Sequence, residues 1–129
     1  MICIDSSGWL EVFLAGPLGP RIRDYIASGA VIVVPTIVVY EIYKALRREL
    51  TEDDADKAAL GLLDHLVVPL DDRLALEAAD YSLQHKLSMA DAVIYATARA
   101  LDATLVTSDE HFEGLPGVAY LPKASDPKA

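Results

Sequence analysis

The chain is poor in sulfur. Its 129 residues include one cysteine, Cys3, which has no mate for an intramolecular disulfide. A reducing compartment fits that usage, so the expected setting is cytoplasmic. His65, His85 and His111 are scattered, and no cysteine–histidine grouping has the spacing of a zinc site. There is no glycine-rich phosphate loop and no serine in a nucleophile-elbow context. No apolar run reaches the length of a membrane span; the longest, residues 31–40, is interrupted by Pro35 and Thr36. The opening Met1-Ile2-Cys3-Ile4-Asp5 has no basic segment before its apolar residues, so a signal peptide is not expected. Repeats, low-complexity tracts and linkers are missing too. The reading is therefore a single domain over residues 1–129, with about 122–129 as a flexible tail. Positive charge is also scarce, with 11 Lys and Arg against 20 Asp and Glu, for a net charge of -9. That balance weighs against a passive nucleic-acid binder, which needs a basic surface. It weighs less against an enzyme that carries divalent cations at its own site, and it suits a basic protein partner.

What the chain does have is apolar residues, 53% of the total, arranged in alternating strand-like and helix-like segments. Residues 2–4 form a short apolar run ending in Asp5 and read as a first strand. Ser6 or Ser7 is the expected cap of a helix over 8–14, stopped by Gly16-Pro17. A second helix is predicted over 19–28. Residues 30–34 are continuous and β-branched, as in a parallel strand buried on both faces. A helix opening at Pro35-Thr36 runs to about 50. Thr51, followed by Glu52, Asp53 and Asp54, marks a fresh helix start. A third strand is expected at 66–70 and a helix from Asp71 or Asp72 to 86. Ser88 caps a helix over 89–101. Strands follow at 103–107 and, more weakly, at 118–121. This alternation predicts an α/β fold, a three-layer α/β/α sandwich with a central, mostly parallel sheet of four to five strands. In such open sheets the working crevice lies at the carboxyl ends of the strands, where strand order reverses. Asp5 ends the first strand, and Asp109 lies just past the fourth.

Four acids stand out by their surroundings. Asp5 has a capping alternative, but Ser6 and Ser7 offer the same cap. Glu41 is the only charge in the apolar stretch 37–43, where an unpaired buried carboxylate is costly; the alternative is an exposed glutamate on an amphipathic helix. Asp91 stands three residues after Ser88, in a capping-box pattern that by itself explains it. Asp109 also has the alternative of capping a short helix before Gly114. Taken as a set, they suggest more. Magnesium and manganese want oxygen ligands, and carboxylates brought close repel one another unless a cation lies between them. A divalent site of that kind supports in-line phosphodiester cleavage.

Four segments carry a resemblance: Ile4-Asp5-Ser6-Ser7, Glu41 in the helix after Val34-Pro35-Thr36, Ala90-Asp91-Ala92-Val93-Ile94-Tyr95-Ala96, and Leu105-Val106-Thr107-Ser108-Asp109-Glu110-His111-Phe112. In order and spacing the chain resembles the PIN-domain ribonucleases, and within them the VapC-type toxins of toxin–antitoxin pairs, over nearly its whole length. The resemblance implies an acidic quartet, Asp5, Glu41, Asp91 and Asp109, binding Mg2+ or Mn2+. Asp5 and Asp91 would be the surest direct ligands, Asp109 next, with Glu41 acting through water. Ser6 and Thr107 match supporting hydroxyl positions. The family further implies a metal-dependent endoribonuclease toxin acting on tRNA or rRNA, a homodimer, and a cognate VapB-like antitoxin that blocks the site. One departure is Ser108, where many relatives carry a basic residue.

Other residues have two readings. Arg47 and Arg48 are candidate RNA contacts, although cations are common at a helix C-terminus. Trp9 and Phe13, at i and i+4, would serve a partner or the core. Tyr40 and Tyr43 would stack bases or be buried. Two other functions compete. One is a non-catalytic module holding a basic peptide in its acidic groove. The other is a phosphoaspartyl phosphatase or receiver built on Asp5; Ser7 stands where such phosphatases want a second aspartate, and no lysine follows the fourth strand.

Overall fold

The computed structural model describes residues 1–123; residues 124–129, which hold most of the expected tail, lie outside the described residues. Five strands form one sheet: β1 (Ile2–Ile4), β2 (Ile32–Pro35), β3 (Leu66–Val68), β4 (Thr104–Thr107) and β5 (Val118–Tyr120). Their order is β3-β2-β1-β4-β5, and every pairing is parallel. Six helices connect and cover them: α1 (Ser6–Phe13), α2 (Gly19–Ala27), α3 (Thr36–Glu49), α4 (Glu52–Leu63), α5 (Asp72–His85) and α6 (Met89–Ala100). The result is a three-layer α/β/α sandwich.

Burial follows strand position. In the central strands Cys3, Ile4, Val33, Val34, Leu105 and Val106 are fully buried, as expected where helices cover both faces. The edge strands are short and only partly covered, which limits edge-to-edge pairing. Strand order reverses at β1: the chain proceeds outward to β2 and β3, then returns to place β4 on the other side. The carboxyl ends of β1 and β4 are therefore adjacent, with Ile4 paired to Val106.

Several boundaries differ from expectation for local reasons. Helix α1 starts at Ser6, because Asp5 itself is the N-cap, in extended conformation, accepting from the Gly8 amide. The serines expected to cap are inside the helix. Pro35 ends β2 rather than opening α3; its fixed φ suits a strand terminus, and the helix begins at Thr36. On α3 the buried stripe is Val38, Ile42 and Leu46, spaced at i+4, and this turns Tyr40 outward to 60% exposure. The burial expected for Tyr40 is thus not found, while Tyr43 is half-buried and donates to Asp56 at 3.0 Å. Trp9 is a core residue, stacked on Phe13 at 5.8 Å.

Helix α6 matters most to the site. Residues 92–98 are all buried, so this alanine-rich helix is enclosed on every side rather than amphipathic. Within it, the Tyr95 ring faces Phe112 at 6.3 Å, and its hydroxyl donates to the Pro116 carbonyl at 2.7 Å. Phe112, fully buried, closes a 3-10 turn (Glu110–Phe112) after β4. The second turn of α6 and the turn after β4 are thereby locked together.

Candidate metal centre

The side chains at this junction are acidic and are held in place by hydroxyls. Asp5 is 2% exposed. Its Oδ1 accepts from the Gly8 amide at 3.0 Å and from the Ser7 hydroxyl at 2.7 Å, and its Oδ2 accepts from the Thr107 hydroxyl at 2.6 Å. Gly8 makes this possible: a Cβ there would stand 2.6 Å from Ile4 Cγ2, so only glycine lets the first turn of α1 come this close to the end of β1. Thr107 also accepts from the Asp109 amide at 2.9 Å, linking the two strand ends through one hydroxyl. Ser108, buried, gives both its amide and its side chain to Ser7, at 3.2 and 3.1 Å, so it fastens β4 to α1 instead of facing outward.

The other acids come from separate elements. Glu41, on the second turn of α3, accepts from the Ser6 hydroxyl at 2.6 Å. Asp91 lies in the first turn of α6, where Ser88 accepts from its amide at 3.3 Å. Asp109 caps the 3-10 turn by accepting from the His111 amide at 2.9 Å. His111 Nδ1 stands 3.0 Å from Asp109 Oδ1 and 4.0 Å from Asp91 Oδ2. Ligand-capable atoms of Asp91, Asp109 and His111 all lie within 4.8 Å of one another. Asp5, expected to be among the surest direct ligands, is outside this tightest group, as is Glu41, although Asp109 is near enough to act on Asp5 and Glu41 on Asp91. Sequence reasoning passed over Ser7, Gly8 and His111. His111 carried a usable signal, two residues after an acid at a strand end.

The electrostatics show how closely the acids sit. Burial, with a smaller push from the nearby Asp109, raises the Asp5 carboxyl to about 6 against the pull of its three hydrogen bonds. Asp91 is raised by burial, then by Asp109 and Glu41, partly offset by Ser88 and His111. Among the described residues, no lysine or arginine pairs with any of the four carboxylates. Arg47 turns instead to Tyr43, at 3.1 Å, and to Glu52, at 3.7 Å. This is a set of hard oxygen donors with one nitrogen beside it and no protein cation within it, which fits a divalent ion. Asp5 is badly placed for a phosphoaspartyl nucleophile, since three of its roughly four lone-pair positions are occupied and it is almost wholly covered.

Fold and site together define an open parallel α/β domain with an acidic crevice at its topological switch point. The chain belongs to the PIN domain family, whose model matches residues 2–118. No curated protein matches it by sequence. Among solved structures it is similar to a toxin–antitoxin complex from Klebsiella pneumoniae, with 18% identity, a TM-score of 0.77, and coverage of 92% of this chain and 96% of that one. It is also similar to VapC20 of Mycobacterium tuberculosis, described as a sarcin-ricin loop cleaving toxin, with 22% identity, a TM-score of 0.76, and coverage of 90% and 95%. A third is VapBC2 from Rickettsia felis bound to a DNA fragment from its promoter, with 16% identity, a TM-score of 0.74, and coverage of 96% and 100%.

Proposed function

We propose that this chain is a divalent-metal-dependent endoribonuclease of the toxin type, held in check by an antitoxin. One observation carries the reading: four carboxylates from four elements lie near enough to act on one another at the β1/β4 switch point, and no lysine or arginine among the described residues pairs with them. Asp91 and Asp109 hold Mg2+ or Mn2+ directly. Asp5 fixes the strand ends through Thr107 and completes the negative field, and Glu41, oriented by Ser6, reaches the ion through water. When bound, the ion supplies Lewis-acid stabilisation of the charge that builds on a phosphodiester as water attacks phosphorus in line. Exposed Arg48, with Lys44 on the same helix, is offered to the phosphate backbone.

The substrate is RNA, with tRNA or rRNA favoured by the family resemblance; VapC20, described as a sarcin-ricin loop cleaving toxin, supports an RNA target. Partnering follows from the same comparisons, since two of the three structures named are toxin–antitoxin complexes. The net charge of -9 suits a basic antitoxin, and the working form is a cytoplasmic homodimer. No helix among the described residues is long and apolar enough to cross a membrane.

The test is direct. The purified chain should cut RNA in MgCl2 or MnCl2 and stop in EDTA. Asp5→Ala and Asp91→Ala should each lower the rate by on the order of 10^3-fold while circular dichroism stays native. Cleavage that persists in EDTA, or in Asp91→Ala, overturns the assignment. Expression of the chain should arrest growth, and a small basic protein encoded beside it should co-purify and relieve the arrest.

A further inference from the structure

His111 is not one of the acids that define the site, yet its imidazole stands beside two of them, Asp109 and Asp91. It is 70% exposed, so the core does not account for its position. Its place is set from behind: Phe112, the next residue, is fully buried against Tyr95, and Asp109 caps the same turn. The imidazole therefore stands on a rigid mount at the mouth of the crevice. The contact distances are compatible with ligands that share an ion, since ligand-capable atoms of all three side chains lie within 4.8 Å of one another. His111 Nδ1 is 3.0 Å from Asp109 Oδ1 and 4.0 Å from Asp91 Oδ2.

Resting on the metal site described above, we propose that His111 supplies a nitrogen ligand to the ion held by Asp91 and Asp109, tuning the site toward Mn2+ over Mg2+. The chemistry follows from donor type. Mg2+ is satisfied by oxygen and gains little from imidazole, whereas a first-row transition ion gains from an added nitrogen. A purely carboxylate quartet lacks that bias. His65 packs on Trp9 and His85 on Tyr81 and Tyr95, so neither competes for the role.

The experiment uses the whole chain and MnCl2 or MgCl2 alone, without RNA. Pulsed electron paramagnetic resonance on the Mn2+-loaded wild type should show 14N coupling from a bound imidazole, and His111→Ala should lose it. By calorimetry, His111→Ala should weaken Mn2+ binding by about tenfold or more and Mg2+ binding by much less. Melting of the metal-free variant should match wild type, since the side chain is exposed. Mn2+ bound to wild type without 14N coupling overturns the ligand assignment and leaves the acidic site standing. Equal loss of both ions in His111→Ala also overturns it. If wild type and an Asp91→Asn, Asp109→Asn double variant bind Mn2+ equally, the metal site fails and this inference fails with it. A 14N signal in a chain that cuts no RNA would sustain the ligand and sink the nuclease reading.

Discussion

The acids of the crevice and the acids on the outer helices are the same residue types under opposite conditions. On the surface, Asp53 meets Lys57 at 3.2 Å, Glu77 meets Arg73 at 3.0 Å, and Glu52 lies near Arg47. These carboxylates are solvated and matched one to one with cations. At the β1/β4 junction the carboxylates are partly or wholly buried and are fixed by Ser6, Ser7 and Thr107; among the described residues the one basic side chain paired with them is His111. Solvent makes the first kind nearly neutral in energy. The second kind raises the energy of the folded chain unless a cation fills the space between them. An excess of negative charge with its cations placed elsewhere marks a working site better than any single residue does.

That contrast can be broken at its scaffold. Phe112→Ala removes the buried ring that sets Asp109 and His111 against Asp91, and should cost about 3–5 kcal/mol in chemical denaturation. It should also weaken divalent-ion binding. A smaller loss, with ion binding intact, would show that the turn after β4 is held by something else.

The contrast can be sharpened by pH. Asp5 binds its proton more tightly in the folded chain, at about 6, than in the unfolded one, near its ordinary ~4. In EDTA, the contribution of Asp5 to stability should therefore be full below about pH 4, fall as pH rises through the window to about 6, and stay level above it. The drop is on the order of 3 kcal/mol, and Asp91, raised as well, adds in the same direction. Asp5→Asn should flatten the curve and leave the metal-free protein more stable than wild type at pH 7. An unchanged slope would show that Asp5 is not the strained group. On the surface the expected effect is smallest: Lys57→Ala should shift stability by less than about 0.5 kcal/mol, and less again in high salt.

The sequence disclosed the fold well because its strands are short apolar runs between clearly signalled helices. The acids at 5 and 109 can be placed at strand ends from the apolar runs that precede them. Capping was harder to read. Asp, Ser and Thr cap equally well, so nothing local says that Asp5 caps α1, or that Ser7 serves Asp5 and Ser108 together. The Ser7–Ser108 and Asp5–Thr107 pairings span 101 and 102 positions in sequence and exist only because β1 and β4 are neighbours. Glu41 was visible as a lone charge, but its partner Ser6 was not. His111 was obscured by its failure to fit a zinc pattern, when its meaning lay in the acids around it. Tyr40 misled for a simpler reason: α3 is apolar enough that its buried stripe appears only once the sheet is in place.

Thermal melting of the wild-type chain with and without MgCl2 or MnCl2 at neutral pH tests the central claim most directly. If the carboxylates at the switch point form a divalent-ion site, Tm should rise with added ion, by the equivalent of about 2.7 kcal/mol at a hundredfold excess over Kd. The rise should vanish in the Asp91→Asn, Asp109→Asn double variant. A wild-type Tm that does not move with millimolar concentrations of either ion would contradict the account.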